Sequence, residues 1–315
     1  MQHVHFIGIG GTTFLDLAIA VSRKNGYKVT VSGENLPEVT LERLNQYGLA
    51  PDRQGWFPEF LTRNISAIVY GSQVHNDNPE LIKARELGLK IYSSPEYLFV
   101  QTRNKTRIVV AGSHGKTTIT ALILYVMKQL RMEADFLIGE RPEGYTSTVR
   151  LSYESRIAVF DGDEKLSSSI DRRPKFHLYK PHIAILTGID RDCSTTFPDF
   201  EVYVDQFDQF INLMETQGRL IYFDGDPALA QLTSRLRRDI VAFPFNTPAH
   251  IFEDGICYLK TRRGKTAVPA ISENKLRCIQ AALLACKQVG INEDQFFSVV
   301  GGFPVDQFQK LPTNS

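Results

Sequence analysis

The sequence predicts an α/β protein in which an N-terminal Rossmann-like parallel-sheet unit is followed by a second unit of the phosphate-loop ATPase type. Three observations predict it. Short apolar runs alternate with helical stretches at the pitch of βαβ units. Two of those runs end in glycine loops that open helical patterns, Gly8-Ile9-Gly10-Gly11 and Gly112-Ser113-His114-Gly115. A polar stretch, Gln101–Thr106, interrupts the alternation between them, and the pattern then starts afresh.

The elements follow in order. His3–Ile9 reads as a first strand, Phe14–Lys24 as a helix, and Tyr27–Ser32 as a second strand after the Gly26 break. Apolar runs recur at Ala67–Tyr70 and Lys90–Tyr92, with helical stretches at Thr40–Tyr47 and Pro79–Leu87. Arg107–Ala111 is the strongest strand, and Thr117–Leu130 carries the 3.6-residue periodicity of a helix. Further strands are expected at Ile157–Phe160, Ile183–Leu186, Leu220–Tyr222 and Ile240–Ala242, and helices at Glu201–Leu213 and Lys275–Val289. The division that results is 1–105, 106–300 and a linker-like 301–315, where the chain becomes Pro- and Gln-containing.

Composition excludes several classes. At 315 residues with 43% hydrophobic and 23% charged residues, the chain has the make-up of a globular protein with room for two cores. A formal net charge of +1 and only short basic stretches, such as Arg172-Arg173, give no face for a nucleic acid. No apolar run approaches the ~18 residues of a membrane helix, and the N-terminus lacks the pattern of a signal peptide. Cys193, Cys257, Cys278 and Cys286 show neither metal-ligand spacing nor disulfide density. The expectation is a cytoplasmic protein with no membrane or nucleic-acid partner.

Chemistry concentrates at four places. In Gly112-Ser113-His114-Gly115-Lys116-Thr117-Thr118 a strand ends, the backbone turns through glycines, and a helix begins with its N–H groups free. Lys116 is suited to β/γ-phosphates and the Thr117 hydroxyl to Mg²⁺, although Val110 stands where the strict pattern wants a glycine. The first loop resembles a dinucleotide fingerprint with Thr13 in place of its third glycine, and Glu34 lies roughly where a ribose-binding acid would. A nicotinamide cofactor and another pyrophosphate both remain open there. Asp161-Gly162-Asp163-Glu164 places three carboxylates at the end of a strand, as a Mg²⁺–phosphate site needs. Asp190 and Asp192, in Asp190-Arg191-Asp192-Cys193, offer further oxygen ligands. His75 reads equally well as a surface or capping residue, and His177 as structural.

Together these segments resemble the Mur ligase family, which builds peptidoglycan precursors. The likeness rests on His5-Phe6-Ile7-Gly8-Ile9-Gly10-Gly11, Asp77-Asn78-Pro79-Glu80, Gly112–Thr118 and Asp161–Glu164. It is strongest toward the branches acting directly on UDP-N-acetylmuramate, the alanine-adding and murein-tripeptide-recycling ligases. Arg172-Arg173-Pro174-Lys175-Phe176 and Tyr179-Lys180-Pro181 look like the recycling branch. The resemblance implies a UDP-sugar on Gly8, Gly10, Gly11, Ser32, Ser72 and His75. It implies ATP on Gly112, Ser113, Gly115, Lys116, Thr117, Thr118 and Asn274. Mg²⁺ would sit on Thr117, Glu164 and Asp192, and catalysis would fall to Lys116, Glu164 and His114. The reaction implied is formation of an acyl phosphate on the muramate carboxylate, then an amide with an amino acid or peptide. Gly188–Cys193 stands for the family's Asn-x-Glu-x-Asp-His stretch, and cysteine is a soft ligand for Mg²⁺. Ser272–Arg277 stands for its His-Asn-x-x-Asn helix start, with Asn274 retained, and Asp306–Gln309 for an Arg-Arg-Phe-Glu-like segment. The chain ends where the family's third, C-terminal domain would begin. The expectation is therefore an incomplete ligase, with a non-catalytic UDP-sugar- and nucleotide-binding protein built on the same scaffold as the alternative.

Overall fold

The computed structural model describes residues 1–141, 144–191, 196–262, 264–269 and 272–304. Asp192, Cys193 and Asp306–Gln309 lie outside them.

The first sheet contains β1 (Gln2–Ile7), β2 (Tyr27–Ser32), β3 (Ala67–Tyr70) and β4 (Ile91–Ser93) in the order β2-β1-β3-β4, all parallel. Ile7 pairs with both Ser32 and Tyr70, so these strands end level and their loops leave one edge together. Between the strands run α1 (Thr12–Ser22), α2 (Glu38–Gln46) and α3 (Pro79–Glu86), and α4 (Ser94–Thr102) follows β4. The helix α1 buries Phe14, Leu15, Leu17, Ala18 and Val21, which is the apolar stripe that placed it in the sequence. Asn78 caps α3 by accepting from the N–H groups of Glu80 and Leu81, with Pro79 pre-set for the first turn.

The second sheet has seven strands in the order β11-β10-β9-β5-β8-β6-β7. They are β5 (Thr106–Ala111), β6 (Ala134–Leu137), β7 (Val149–Arg150), β8 (Ile157–Asp161), β9 (Ile183–Leu186), β10 (Arg219–Phe223) and β11 (Val241–Phe245). All pairings are parallel except β6 with β7. The central strand β5 buries Arg107 through Ala111, the continuous apolar pattern of a strand covered on both faces. Its one charge is answered: Arg107 donates to the carbonyls of Thr102, Arg103, Tyr179 and Lys180, and to Glu215 at 2.5 Å. Helices α5 (Lys116–Gln129), α6 (Phe200–Asn212), α7 (Pro227–Thr233), α8 (Glu273–Gln288) and α9 (Glu293–Val300) accompany the sheet. A three-stranded antiparallel meander, β12 (His250–Glu253), β13 (Ile256–Thr261) and β14 (Gly264–Val268), precedes α8.

Several elements differ from expectation. The stretch ahead of Thr106 holds α4, whose Ser93–Glu96 capping box and Pro95 outweigh the polar residues at its end. The strand expected at Ile240–Ala242 runs on through Pro244, which is tolerated because β11 lies at the sheet edge.

Candidate functional site

β5 delivers the second glycine loop to the middle of the sheet, where the strand order reverses and neighbouring loops splay apart. Gly112 has φ +118°, and a Cβ there would lie 2.4 Å from Thr187 Oγ1 and 2.8 Å from the Gly188 carbonyl. Only glycine fits that turn. The loop is pinned to the segment after β9: the Ser113 N–H donates to the Gly188 carbonyl at 2.9 Å, and the Asp190 N–H donates to Ser113 Oγ at 2.6 Å. Gly115, at φ +79°, starts α5, and no side chain caps that helix. The first-turn N–H groups and the positive end of the helix are thus presented to an anion.

Around this turn four side chains converge. Lys116 Nζ donates to the Gly112 carbonyl at 2.6 Å and stands 3.1 Å from Glu164 Oε2. Thr117 Oγ1 donates to Asp161 Oδ2 at 2.6 Å, and the Gly139 N–H reaches the same oxygen at 3.3 Å. Burial pushes the Asp161 carboxyl above its ordinary value, against the pull of the Thr117 bond and the Lys116 charge. Glu164 Oε2 is buried and accepts no hydrogen bond. Asp163, between them in sequence, is taken by Lys175 at 2.6 Å; burial opposes its ionisation, yet Lys175 holds it below the usual value.

Some expected site residues stand elsewhere. His114 is at the mouth, two-thirds exposed, with Nε2 3.3 Å from Asp190 Oδ2. Thr118 lies in the first turn of α5. Asn274, at the start of α8, lines a cavity of about 530 Å³ together with Ser113, His114 and Gly115. Arg277 closes one side of that cavity, stacked over the Phe223 ring at 4.5 Å and donating to Thr247 Oγ1 at 2.8 Å. Asp226 accepts from the Ile189 N–H at 2.6 Å and caps α7, which fixes the far wall. Arg277 and Asp226 were not among the residues expected to act. Asp161, one of the three carboxylates expected at the end of β8, emerges beside the loop because Val110 pairs with it.

The first loop borders a separate cavity of about 810 Å³ that brings together Gly8, Gly10, Gly11, Trp56, Ser72 and His75. Glu34 is on its wall as well. Gly8 has φ +72°, and a Cβ would meet Val74 Cγ2 at 2.3 Å. Gly11 begins α1 without a side-chain cap. Ser32 departs from the expected lining role. It is buried, its carbonyl accepts from the N–H groups of Gly8 and Ile9, and its hydroxyl donates to Glu80 Oε2 at 2.5 Å. Ser32 shapes the loop from beneath, with its hydroxyl already committed. Burial opposes ionisation of Glu80, but His5, the Phe57 N–H and Ser32 hold it below its ordinary value.

Among the described residues no three His, Cys, Asp or Glu side chains gather as a metal cage. Mg²⁺ does not need one, because it binds through one or two carboxylates with phosphates and water. The buried Glu164 oxygen beside Lys116 and the Thr117–Asp161 pair suit it. None of the described helices is long and apolar enough to cross a membrane.

Two glycine loops at the switch points of two parallel sheets define a two-unit α/β protein of the phosphate-loop class. Comparison places it more closely. The Mur ligase middle domain model matches residues 110–289, and the model of the Mur ligase family, catalytic domain, matches 3–106. The chain belongs to the Mur ligase family. UDP-N-acetylmuramate–L-alanine ligase of Aquifex aeolicus is 30% identical over 263 residues, covering 84% of this chain and 55% of that protein. Its counterpart from Methylobacillus flagellatus is 32% identical over 253 residues, covering 80% and 50%. The chain thus spans about half the length of these relatives. The UDP-N-acetylmuramate:L-alanyl-gamma-D-glutamyl-meso-diaminopimelate ligase of Neisseria meningitides superposes with a TM-score of 0.80 at 22% identity, over 96% of this chain and 98% of that one. A murein peptide ligase from Psychrobacter arcticus gives 0.80 at 20% identity, over 96% and 68%. At those identities the structures show a shared fold.

Proposed function

We propose that this chain carries the nucleotide- and sugar-binding units of a Mur-type ligase. ATP would lie on Gly112–Thr118 with its nucleoside toward Asn274, and UDP-N-acetylmuramate, named in both relatives, in the cavity of Gly8, Gly10, Gly11, Ser72 and His75. On this reading residues 1–105 hold the sugar and 106–300 the nucleotide. The observation that carries it is the 2.6 Å bond from Thr117 to Asp161, made at level strand ends with Lys116 and Glu164 beside it.

The chemistry follows from charge. A triphosphate and a muramate carboxylate bring anions together, and the Lys116 ammonium with the α5 N-terminus offsets them. An incoming phosphate competes with the Gly112 carbonyl for Lys116. Thr117, Asp161 and Glu164 would hold Mg²⁺, which supplies Lewis-acid neutralisation of the phosphates. His114, at the mouth, would face the sugar. The terminal phosphoryl group passes to a carboxylate oxygen, giving an acyl phosphate and ADP. An amine of an amino acid or peptide then attacks the acyl carbon, and inorganic phosphate leaves as the amide forms. A cytoplasmic setting suits both ATP and the UDP-sugar.

A second reading, binding without ligation, is favoured by the open mouth: the His114 and Asp190 side chains are 67% and 50% exposed, so water reaches the loop. The two readings separate in one assay of the purified chain with ATP, Mg²⁺, UDP-N-acetylmuramate and L-alanine or the tripeptide. The ligase reading expects phosphate release that depends on the sugar nucleotide and disappears in Lys116→Ala. Binding of both nucleotides with no phosphate release supports the second reading. Binding of neither contradicts both.

A further inference from the structure

A feature the proposed reaction leaves unused lies at the opposite ends of the strands. Where the N-terminal edges of the two sheets meet, a cavity of about 690 Å³ is walled by Lys24, Lys90, Arg103, Lys105 and Arg156, with no carboxylate in its lining. These cations come from four places in the chain: the turn after α1, the approach to β4, the α4–β5 link (two of them) and the approach to β8. Like charges gathered around one space repel each other unless an anion enters it.

Lys24 is the most telling of them. It is only 8% exposed, yet its ammonium finds an amide oxygen, Gln101 Oε1 at 2.7 Å, and the ring faces of Tyr153 at 4.5 Å and Tyr27 at 5.3 Å. The two carboxylates that act on it at a distance are spoken for or outside. Asp135 is held by Lys105 at 2.5 Å and by the Ser152 N–H and hydroxyl, while Glu154 is exposed. Burial, followed by the Lys105 charge, lowers the Lys24 pKa, as expected of an ammonium short of a counterion. On the rim, Lys90, Arg103 and Arg156 are exposed and form no ion pair among the described residues.

We infer that this cavity is a third anion site, distinct from both glycine loops, that takes a diphosphate group between the two units. Lys24 supplies a desolvated ammonium, and Arg103 and Arg156 supply forked donors matched to phosphate oxygens. Because Arg103 and Lys105 sit on the link between the sheets, a bound anion also braces that link.

The test is calorimetric titration of inorganic pyrophosphate into Lys116→Ala, which removes the loop lysine, and into the same chain carrying Arg103→Gln and Arg156→Gln. Both rim residues are exposed, and unfolding curves without ligand check that each variant is folded. The expected result is binding that survives Lys116→Ala and weakens about tenfold or more with the rim changes. Lys90→Glu in the Lys116→Ala background is expected to weaken it also. ADP in place of pyrophosphate separates the sources: tighter binding assigns the anion to a nucleotide resting on Tyr153, and equal or weaker binding to a free polyphosphate. Loss of all pyrophosphate binding with Lys116→Ala alone, or indifference to the rim substitutions, overturns the inference.

Discussion

Asp161 and Thr117 show how one hydrogen bond joins two motifs that lie 44 residues apart. The bond ties the acidic end of β8 to the first turn of α5, where the carboxylate that burial disfavours gains a partner. Asp161→Asn keeps the shape and removes the charge. It is expected to weaken Mg²⁺-dependent nucleotide binding about 10–100-fold with little change in metal-free binding, as titrations with and without the metal would show. Gly112→Ala tests the turn itself. Its Cβ meets Thr187 and the Gly188 backbone at a φ that L residues avoid, so a loss of about 2–4 kcal/mol in denaturant unfolding is expected. A third residue contributes to acid sensitivity. His177 is 4% exposed and shares a 2.7 Å contact with the Gln206 carbonyl, and burial lowers its pKa below the ordinary 6.5. The unfolded chain then binds the proton first, so stability rises with pH between the folded value and 6.5, and falls as pH drops below 6.5. The slope expected from His177 is at most about 1.4 kcal/mol per pH unit, and His177→Gln flattens it.

Elements with strong periodicity or an unbroken apolar run are legible in the sequence alone. Tyr27–Ser32, Ala67–Tyr70 and Ile183–Leu186 stand at the expected residues, and α5 and α8 within two of them. Short elements held by caps or by neighbours are not. The helix α9 has eight residues and begins with a reciprocal pair, Asn292 accepting from the Gln295 N–H at 2.9 Å and Gln295 from the Asn292 N–H at 3.0 Å. Its placement rests on Phe296 and Val300, which are fully buried and gain their meaning only beside α5. Asn292→Ala is expected to cost about 1 kcal/mol, seen as a lowered denaturation midpoint at constant slope. The four-residue β6 and two-residue β7 carry too little pattern to register, and the meander β12–β14 alternates weakly because much of it faces solvent. The site divides in the same way. The glycine loops could be read from spacing, whereas Arg277 over Phe223 and Asp226 under Ile189 depend on tertiary placement.

Across the molecule the two sheets share one apolar cluster, which runs from Val4 and Phe6 to Val109 and Phe160, and buried polar contacts tie them further. Asp16 on α1 is fully buried and accepts from the Thr148 N–H at 2.6 Å and hydroxyl at 2.9 Å, while Arg43 on α2 pairs with it at 2.6 Å and donates to the Thr146 carbonyl at 3.0 Å. Removing one member leaves the other's charge stranded, so Asp16→Ala is expected to cost about 3–5 kcal/mol. Differential hydrogen exchange would show the loss centred on α1 and β7. On the other flank, Ser169 bonds the Ser72 and Val74 carbonyls, which links the segment after Glu164 to the loop beside Gly8. Both glycine loops are thereby held in one framework. The second of them carries the proposed chemistry, and the most direct measurement is the dissociation constant of Mg²⁺–ATP by calorimetry for the native chain and for Lys116→Ala. Saturable one-to-one binding that Lys116→Ala weakens by at least about two orders of magnitude is the predicted result. Equal affinity in the two chains, or no binding to either, would contradict it.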